Sequence, residues 1–134
     1  MKIQRQAAVM FASDLPRTIK YWNEQIGFAT HGTFLDLPAF AMMERDHHYM
    51  MLKQLPAGDT IIPYCDRDEG LWNSYFWVDD VKTLLAEFQR RGASIDYGLC
   101  EQPYGVLEFA VRDPDQQTIG FGQVLNTPNG APPL

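Results

Sequence analysis

The stretch YGVLEFAVRDPDQQTIGFGQ, residues 104–123, contains the pattern that decides the fold. Two short apolar runs, residues 106–111 and 118–123, flank the polar sequence RDPDQQ. Pro114 fixes its own φ, and the aspartates on either side of it can hydrogen-bond nearby backbone groups, so this sequence predicts a turn. Short runs rich in β-branched and aromatic residues, bounded by turn residues, predict a β-hairpin.

The second strand of this hairpin has two unlike faces. Thr118, Gly120 and Gly122 fall on one face, and Ile119 and Phe121 fall on the other, because strand residues alternate. Glycine inside a strand marks a bulge or bend, or the close approach of a ligand or another backbone. Strand geometry alone favours the bulge or bend, and ligand approach remains the alternative.

Composition bounds the class of protein. The 134 residues are 46% apolar, which predicts one domain with a hydrophobic core. No apolar run approaches the roughly 18 residues of a membrane span, and the N-terminus lacks the apolar core of a signal peptide. We therefore expect a cytoplasmic protein with Cys65 and Cys100 as free thiols.

The net charge of −6 bears on partners. It disfavours nucleic acid, since phosphate binding needs a basic surface. Solubility is the favoured explanation of this acidic charge, and attraction of a cationic ligand is the alternative.

The chain predicts the same order of elements twice. Strand 4–12 is followed by a helix start at Ser13–Pro16, a helix stop at Gly27, and strands 29–35, 40–45 and 49–54. Strand 73–78 is followed by helix capping at Asp79 and Asp80, apolar helical spacing at Val81, Leu84, Leu85 and Phe88, a stop at Gly92, strand 95–99 and the hairpin.

This repeat predicts the fold class and the domain organisation. We expect an α+β protein of two βαβββ modules that form a curved, mostly antiparallel sheet with a concave ligand face. Within a single domain, module one covers about residues 4–55, a linker 56–71, module two about 72–125, and a flexible tail 126–134.

Residues 104–123 also resemble a known family. The combination of a glycine, Glu-Phe-Ala, Arg-Asp-Pro and a closing apolar strand is similar to the second-module signature of the vicinal oxygen chelate superfamily. That superfamily contains glyoxalases, extradiol dioxygenases, fosfomycin-modifying enzymes and bleomycin-resistance proteins. The resemblance is strongest to the bleomycin-resistance type, covers about residues 5–125 and implies the paired-module fold.

The resemblance also implies where a catalytic metal would bind in related enzymes. The four ligand positions correspond here to Ala7, Met51, Asn73 and Gly120, of which only Asn73 offers an oxygen. We therefore expect no metal, no other cofactor and no catalytic residue. His47 and His48, with Glu44 or Asp46, are an alternative donor set, although polar residues at a hairpin tip are the favoured interpretation.

Strand alternation and the resemblance together predict a ligand site. The predicted concave face displays an aromatic-rich set: Val9, Phe11, Tyr49, Met51, Lys53, Tyr75, Trp77 and Thr118. The resemblance adds positions that line the groove of resistance proteins, at Phe40, Tyr75 and Tyr104. The candidate ligand-binding residues are Phe40, Tyr49, Met51, Tyr75, Trp77, Tyr104, Glu108 and Gly120.

Two points in this set stay open. Trp72 and Trp77 fit a core or dimer interface as well as a ligand site. Glu108 is an acid inside an apolar run, which suits a functional group. Strand alternation places Glu108 on the same face as Arg112, and an ion pair between them is the favoured interpretation.

Three functions follow as hypotheses. The resemblance implies a metal-independent homodimer that sequesters a small aromatic molecule, cationic in the resistance proteins, without membrane or nucleic-acid partners. The second hypothesis is a metal-dependent lyase, dioxygenase or isomerase of the same superfamily, with metal ligands at Glu44, His47 and Glu108. The third is an interaction module whose aromatic face binds a protein segment.

Overall fold

The structure, a computed structural model, describes residues 1–36 and 39–125. The chain divides into two compact units, Met1–Ile62 and Pro63–Leu134, and the boundary falls within the predicted linker. The predicted tail, 126–134, lies outside the described residues. No helix in the described part of the chain is long and apolar enough to cross a membrane.

The first unit contains one helix and one four-stranded sheet. Its elements are β1 (Ala7–Ala12), α1 (Leu15–Glu24), β2 (Ala29–Phe34), β3 (Phe40–Arg45) and β4 (His48–Gln54). The strand order is β1-β4-β3-β2, with β1 parallel to β4 and the other two pairings antiparallel.

The second unit repeats this topology. It contains α2 (Tyr64–Arg67), β5 (Ser74–Trp77), α3 (Val81–Arg90), β6 (Ile95–Gln102), β7 (Val106–Arg112) and β8 (Thr118–Val124). The strand order is β5-β8-β7-β6, again with the first pairing parallel and the others antiparallel. The predicted α+β class with two βαβββ modules is confirmed, and the predicted irregular segment 56–71 contains the single helical turn α2.

Both long helices begin at the residues that the sequence indicated, and one of the predicted glycines follows each end. The carboxylates of Asp14 and Asp80 accept hydrogen bonds from backbone N–H groups three residues later, as N-caps do. Gly27 and Gly92, just past the two helix ends, have φ of 71° and 79°. Glycine adopts this left-handed conformation more readily than other residues, and Gly92 directly follows the C-cap of α3, whereas α1 ends at Glu24 and Gly27 turns the chain after it.

The turns of the two hairpins have identifiable causes. Asp46 and His47 have φ of 53° and 66°, the two-residue turn that matches strand twist. His48 lies in β4 opposite Arg45, so the predicted three-residue turn is one residue shorter. In the RDPDQQ turn, Asp113 Oδ1 accepts hydrogen bonds from the backbone N–H groups of Asp115 and Gln117, both at 2.9 Å.

Each sheet buries one face against its own helix. In the first unit Met10, Met43 and Leu52 are buried on the face that α1 covers. In the second unit the ring of Phe88 in α3 meets Phe109 and Phe121, with centroids 5.7 and 5.0 Å apart. The opposite face of each sheet carries the predicted ligand-site residues.

Candidate ligand site on the second sheet

The glycines of β8 make room for aromatic side chains. Tyr75 lies opposite Gly120 in the parallel pairing of β5 with β8. A Cβ added at Gly120 would stand 2.6 Å from carbon atoms of the Trp72 and Tyr75 rings, and one at Gly122 would overlap the Tyr75 hydroxyl. The Tyr75 side chain therefore extends across β8, which it can do only because β8 has no side chains there.

The bulge that the sequence favoured at these glycines is not present. The pairing of β7 with β8 runs from Val106–Val124 to Arg112–Thr118 without a register shift, so β8 has no bulge. The register shifts instead in β6, between Ile95 and Tyr97 and between Tyr97 and Cys100. The glycines instead allow the protein's own Trp72 and Tyr75 rings to approach β8 closely.

Tyr75 extends across β8 to reach a buried carboxylate. Glu108 is fully buried, and its Oε1 accepts hydrogen bonds from the hydroxyls of Tyr75 at 3.1 Å and Tyr104 at 2.5 Å. Its Oε2 accepts from the hydroxyl of Tyr97 and, at 3.4 Å, from the side-chain amide of Gln102. Trp72 Nε1 donates to the Tyr97 hydroxyl at 2.8 Å and extends the network by one ring.

This arrangement keeps the phenols protonated. Burial raises the pKa of the Tyr75 hydroxyl above its ordinary value, and the charge of Glu108 raises it further. Burial and the hydrogen bond to Glu108 raise the pKa of Tyr97 and of Tyr104 in the same direction. The tyrosines therefore remain hydrogen-bond donors at neutral pH, and Glu108 acts as the acceptor.

The predicted ion pair between Glu108 and Arg112 does not form. Arg112 Nε pairs with Asp96 Oδ1 at 2.8 Å, and its Nη1 donates to Gln116 O at 3.3 Å. Among the described residues, the hydrogen-bond partners of Glu108 are uncharged. A buried carboxylate needs several donors, and three phenols supply them here in place of the expected guanidinium.

Sequence reasoning missed Tyr97 as part of this site. In a regular strand Tyr97 and Cys100, three residues apart, would point to opposite faces of the sheet. The register shift between them places both side chains on the face that contains Glu108, and Cys100 pairs with Glu108. The available signal was Gly98, a glycine inside a predicted strand, which is typical of a bulge. Burial and the nearby Glu108 charge raise the pKa of the Cys100 thiol, which disfavours a reactive thiolate.

Two aromatic rings of this face remain open to solvent. Trp77 is 51% exposed and Tyr104 is 43% exposed, whereas Trp72 and Tyr75 are half-buried. The Trp77 ring lies against Tyr75, with centroids 5.2 Å apart. Trp77 also lines a recess of about 300 Å³, together with Val78, Asp79, Gln123 and Val124. A recess of this volume is at the lower end of the range for small-molecule sites.

The predicted residues of the first unit share one face of its sheet. Phe40 lies opposite Lys53, and Met51 pairs with Val9 on one side and Met42 on the other. Tyr49 contacts His31 edge to face at 5.4 Å, and the Arg5 guanidinium lies 5.0 Å from the Tyr49 ring centroid. These residues therefore form a second aromatic and methionine-rich face, on the sheet of the first unit.

The residues at the family's metal-ligand positions do not suit a metal. The side chain of Asn73, the sole oxygen donor among them, accepts from Tyr64 N–H and donates to Gln117 Oε1, both at 3.3 Å. Gly120 lies beneath the rings of Trp72 and Tyr75, which occupy the space of a ligating side chain. Ala7 carries no donor atom, and a thioether such as Met51 suits soft ions.

The alternative histidine donors are not clustered in the described part of the chain. His47 lies in the hairpin turn and His48 in β4. Among residues 1–36 and 39–125, no group of three or more His, Cys, Asp or Glu side chains is placed to hold a metal ion.

Comparison with known proteins places this chain in a family. Residues 5–121 match the model of the Glyoxalase/Bleomycin resistance protein/Dioxygenase superfamily, and the chain belongs to that family. The predicted resemblance is thereby confirmed. A comparison with curated protein sequences finds no match.

Solved structures share the fold at low sequence identity. The bleomycin-binding protein of Streptomyces verticillus, in complex with copper(II)-bleomycin, is 23% identical with a TM-score of 0.68, and the match covers 95% of this chain and 99% of that one. TnmS3, an antibiotic-binding protein from Streptomyces sp. CB03234, is 22% identical with a TM-score of 0.70, covering 92% and 97%. The trypanothione-dependent glyoxalase I of Leishmania major is 21% identical with a TM-score of 0.62, covering 90% and 86%.

Proposed function

We propose that this protein binds and sequesters a small, flat aromatic molecule without a metal and without chemical conversion. The observation that carries the proposal is the ring-covered face of the second sheet. There Trp77 is half exposed beside Tyr75, above a strand whose glycines leave the rings room. Exposed, fixed aromatic rings favour stacking with a planar ligand.

The residues at the family's metal positions support binding over catalysis. Enzymes of this fold need donor atoms that Ala7, Met51 and Gly120 do not supply. Tyr75, Tyr97 and Tyr104 form a network in which each phenol keeps its proton and Glu108 accepts a hydrogen bond from each of them. Such a network holds rings in place, and this function resembles that named for two of the structural neighbours.

We assign the binding face to Tyr75, Trp77, Tyr104 and the floor at Gly120 and Glu108, with Phe40, Tyr49 and Met51 as the corresponding face of the first unit. We further propose that the protein is a cytoplasmic homodimer. The free thiols Cys65 and Cys100 are consistent with a reducing compartment.

Trp77→Ala tests the binding role. We expect this variant to weaken binding of a planar probe such as N-methylacridinium about tenfold or more, because stacking on an aromatic ring contributes about 1–3 kcal/mol per stacked base in the measured nucleic-acid cases. Isothermal titration calorimetry measures the dissociation constant. Trp77 is largely exposed, so the fold should survive the change.

Tyr64→Ala is the matched control, because Tyr64 is 50% exposed, as Trp77 is, but lies in α2. Its affinity for the probe should equal that of the wild type. Equal binding by wild type and Trp77→Ala would exclude the assigned face. Recovery of a chemically altered probe by mass spectrometry would exclude sequestration without conversion.

A further inference from the structure

The surroundings of Glu108 bear on the charge of the ligand that this aromatic face would bind. Glu108 is fully buried, and it is surrounded by the hydroxyls of three tyrosines and one amide. Those four groups are neutral, so the carboxylate charge is stabilised by hydrogen bonds and is not cancelled by a cation among the described residues. Two of these tyrosines, Tyr75 and Tyr104, belong to the predicted ligand site, and Tyr97 joins them through Glu108.

We propose that Glu108 makes this aromatic face selective for organic cations, a role that rests on the proposed ligand site. The carboxylate does not touch the ligand. It acts through the tyrosines, whose hydroxyl protons it draws and whose rings it makes more negative. A cationic ring system stacked on Trp77, Tyr75 or Tyr104 then gains cation–π attraction and the field of the charge beneath.

The geometry favours a cation over a neutral or anionic ligand. A cation over a tyrosine ring lies within about 6 Å of its centroid, and the Tyr104 hydroxyl is 2.5 Å from the carboxylate. A cation so placed lies several ångströms from the carboxylate, and in a partly dehydrated site a unit charge at that range changes affinity by about tenfold. An anion would be disfavoured by the same field.

The overall charge of the protein offers a competing cause, since the chain carries a net charge of −6. Attraction by exposed acids is screened by salt within about 10 Å at 0.1 M ionic strength. The charge of Glu108, with no exposed surface, is screened much less. Selectivity that persists at high salt therefore distinguishes Glu108 from the general surface charge.

The experiment compares acridine, which is neutral at neutral pH, with N-methylacridinium, a permanent cation of nearly the same shape. We expect wild-type protein to bind the cation about tenfold more tightly, and to keep most of that preference in 1 M salt. Glu108→Gln should lose the preference, so that its dissociation constants for acridine and N-methylacridinium become about equal. Calorimetry gives each dissociation constant.

Glu101→Gln is the charge-matched control. Glu101 is exposed and lies one residue from Cys100 in β6, so its side chain points away from the face that contains Glu108. Its removal changes the net charge equally and should leave the preference for the cation intact. Near-ultraviolet circular dichroism establishes whether the rings of Glu108→Gln keep their native packing.

The outcomes separate this inference from the proposed function. If both probes bind wild type through Trp77 with equal affinity, or if Glu108→Gln keeps the preference, the role of Glu108 is excluded and the aromatic site stands. If neither probe binds, the site and the inference fail together. If Glu108→Gln does not fold, the wild-type preference at high salt decides: its retention supports the role of Glu108, and its loss excludes it.

Discussion

Single residues of β8 explain why its sequence alternates glycine with large apolar side chains. Gly120 and Gly122 lie beneath Trp72 and Tyr75, while Ile119 and Phe121 are buried on the opposite face. The glycine face and the apolar face of β8 therefore serve different purposes. One holds the rings of the candidate site and the other completes the core.

Gly122→Ala tests this account of the glycines. Because the new methyl group would overlap the Tyr75 hydroxyl, Tyr75 must move away from Glu108 or β8 must shift. We expect a loss of about 1–3 kcal/mol in the free energy of unfolding, typical of overpacking. Urea denaturation measures it, and planar-ligand binding should weaken in parallel.

Gly98→Ala provides the control for that prediction. Gly98 lies in β6 of the same sheet, is exposed, and has open space where its Cβ would project. Its substitution should change the free energy of unfolding by no more than about 0.5 kcal/mol. If Gly122→Ala were equally neutral, the fixed position of Tyr75 would not depend on the absence of a side chain at 122.

At the scale of elements, a glutamine near the end of the last strand of each module contacts the first residue of that module's long helix. β4 reaches Gln54 and β8 contains Gln123, which occupy corresponding positions in the repeat. Gln54 Oε1 accepts from the backbone N–H of Leu15, the first residue of α1, at 2.9 Å. Gln123 Oε1 accepts from the N–H of Val81, the first residue of α3, at 3.0 Å. Each glutamine thus satisfies a helix N–H that lacks an intrahelical partner.

Removal of these glutamines should destabilise the protein unequally. Gln123→Ala should lower the free energy of unfolding by about 1 kcal/mol, as the loss of a helix cap does. Gln54→Ala should cost more, because its amide also donates to Ser13 O at 2.9 Å and to Leu55 O at 3.3 Å. Chemical denaturation of both variants, with the exposed Gln89→Ala as control, measures the difference. Equal effects in all three would contradict the capping role.

Helices and strands were predictable where a local pattern determined them, whereas the hydrogen bonds that join the candidate residues Tyr75, Tyr104 and Glu108 were not. Helix α3 was readable because Asp80, the apolar spacing and Gly92 all lie within the helix or beside it. The partners of Glu108 were not readable, because Tyr75, Tyr97 and Tyr104 belong to separate segments that sheet pairing brings together. The position of Tyr97 in particular depends on a register shift in β6. Such a shift moves a side chain to the other face of the sheet, and the spacing of residues in the sequence does not reveal it.

At the scale of the whole molecule, the proposed binding without a metal leads to a prediction about metal content. We expect purified, untagged protein to contain no stoichiometric zinc, nickel, manganese or iron, and its melting temperature to be unchanged by these ions. Binding to the folded state would raise the melting temperature. One metal per chain with clear stabilisation would contradict sequestration without metal, and Glu44, His47, His48 and Glu108 would then be mutated to find the ligands.

The proposed homodimer has a candidate surface in the first unit. Val9 is 61% exposed on β1, an edge strand of its sheet, and Phe11 and Phe34 are each nearly half exposed. Val9 and Phe34 lie on opposite edge strands of this sheet, on the face that also carries Met51 and Phe40, and exposed apolar side chains on one face favour association. We expect sedimentation equilibrium to give a dimer mass, and Val9→Asp to shift it toward the monomer. A monomeric wild type would contradict the proposal.

Because each sheet draws all its strands from one module, the two halves of the chain differ in when they can form during synthesis. Every strand partner of the first sheet lies between Ala7 and Gln54. Its ladders, from the local β3–β4 hairpin to the long-range pairing of Ala7 with Tyr49, lie within this module and can close while the ribosome is still translating the second half. The first module can therefore act as an early folding nucleus, and the ring-covered face around Glu108 is completed last, when β8 leaves the ribosome.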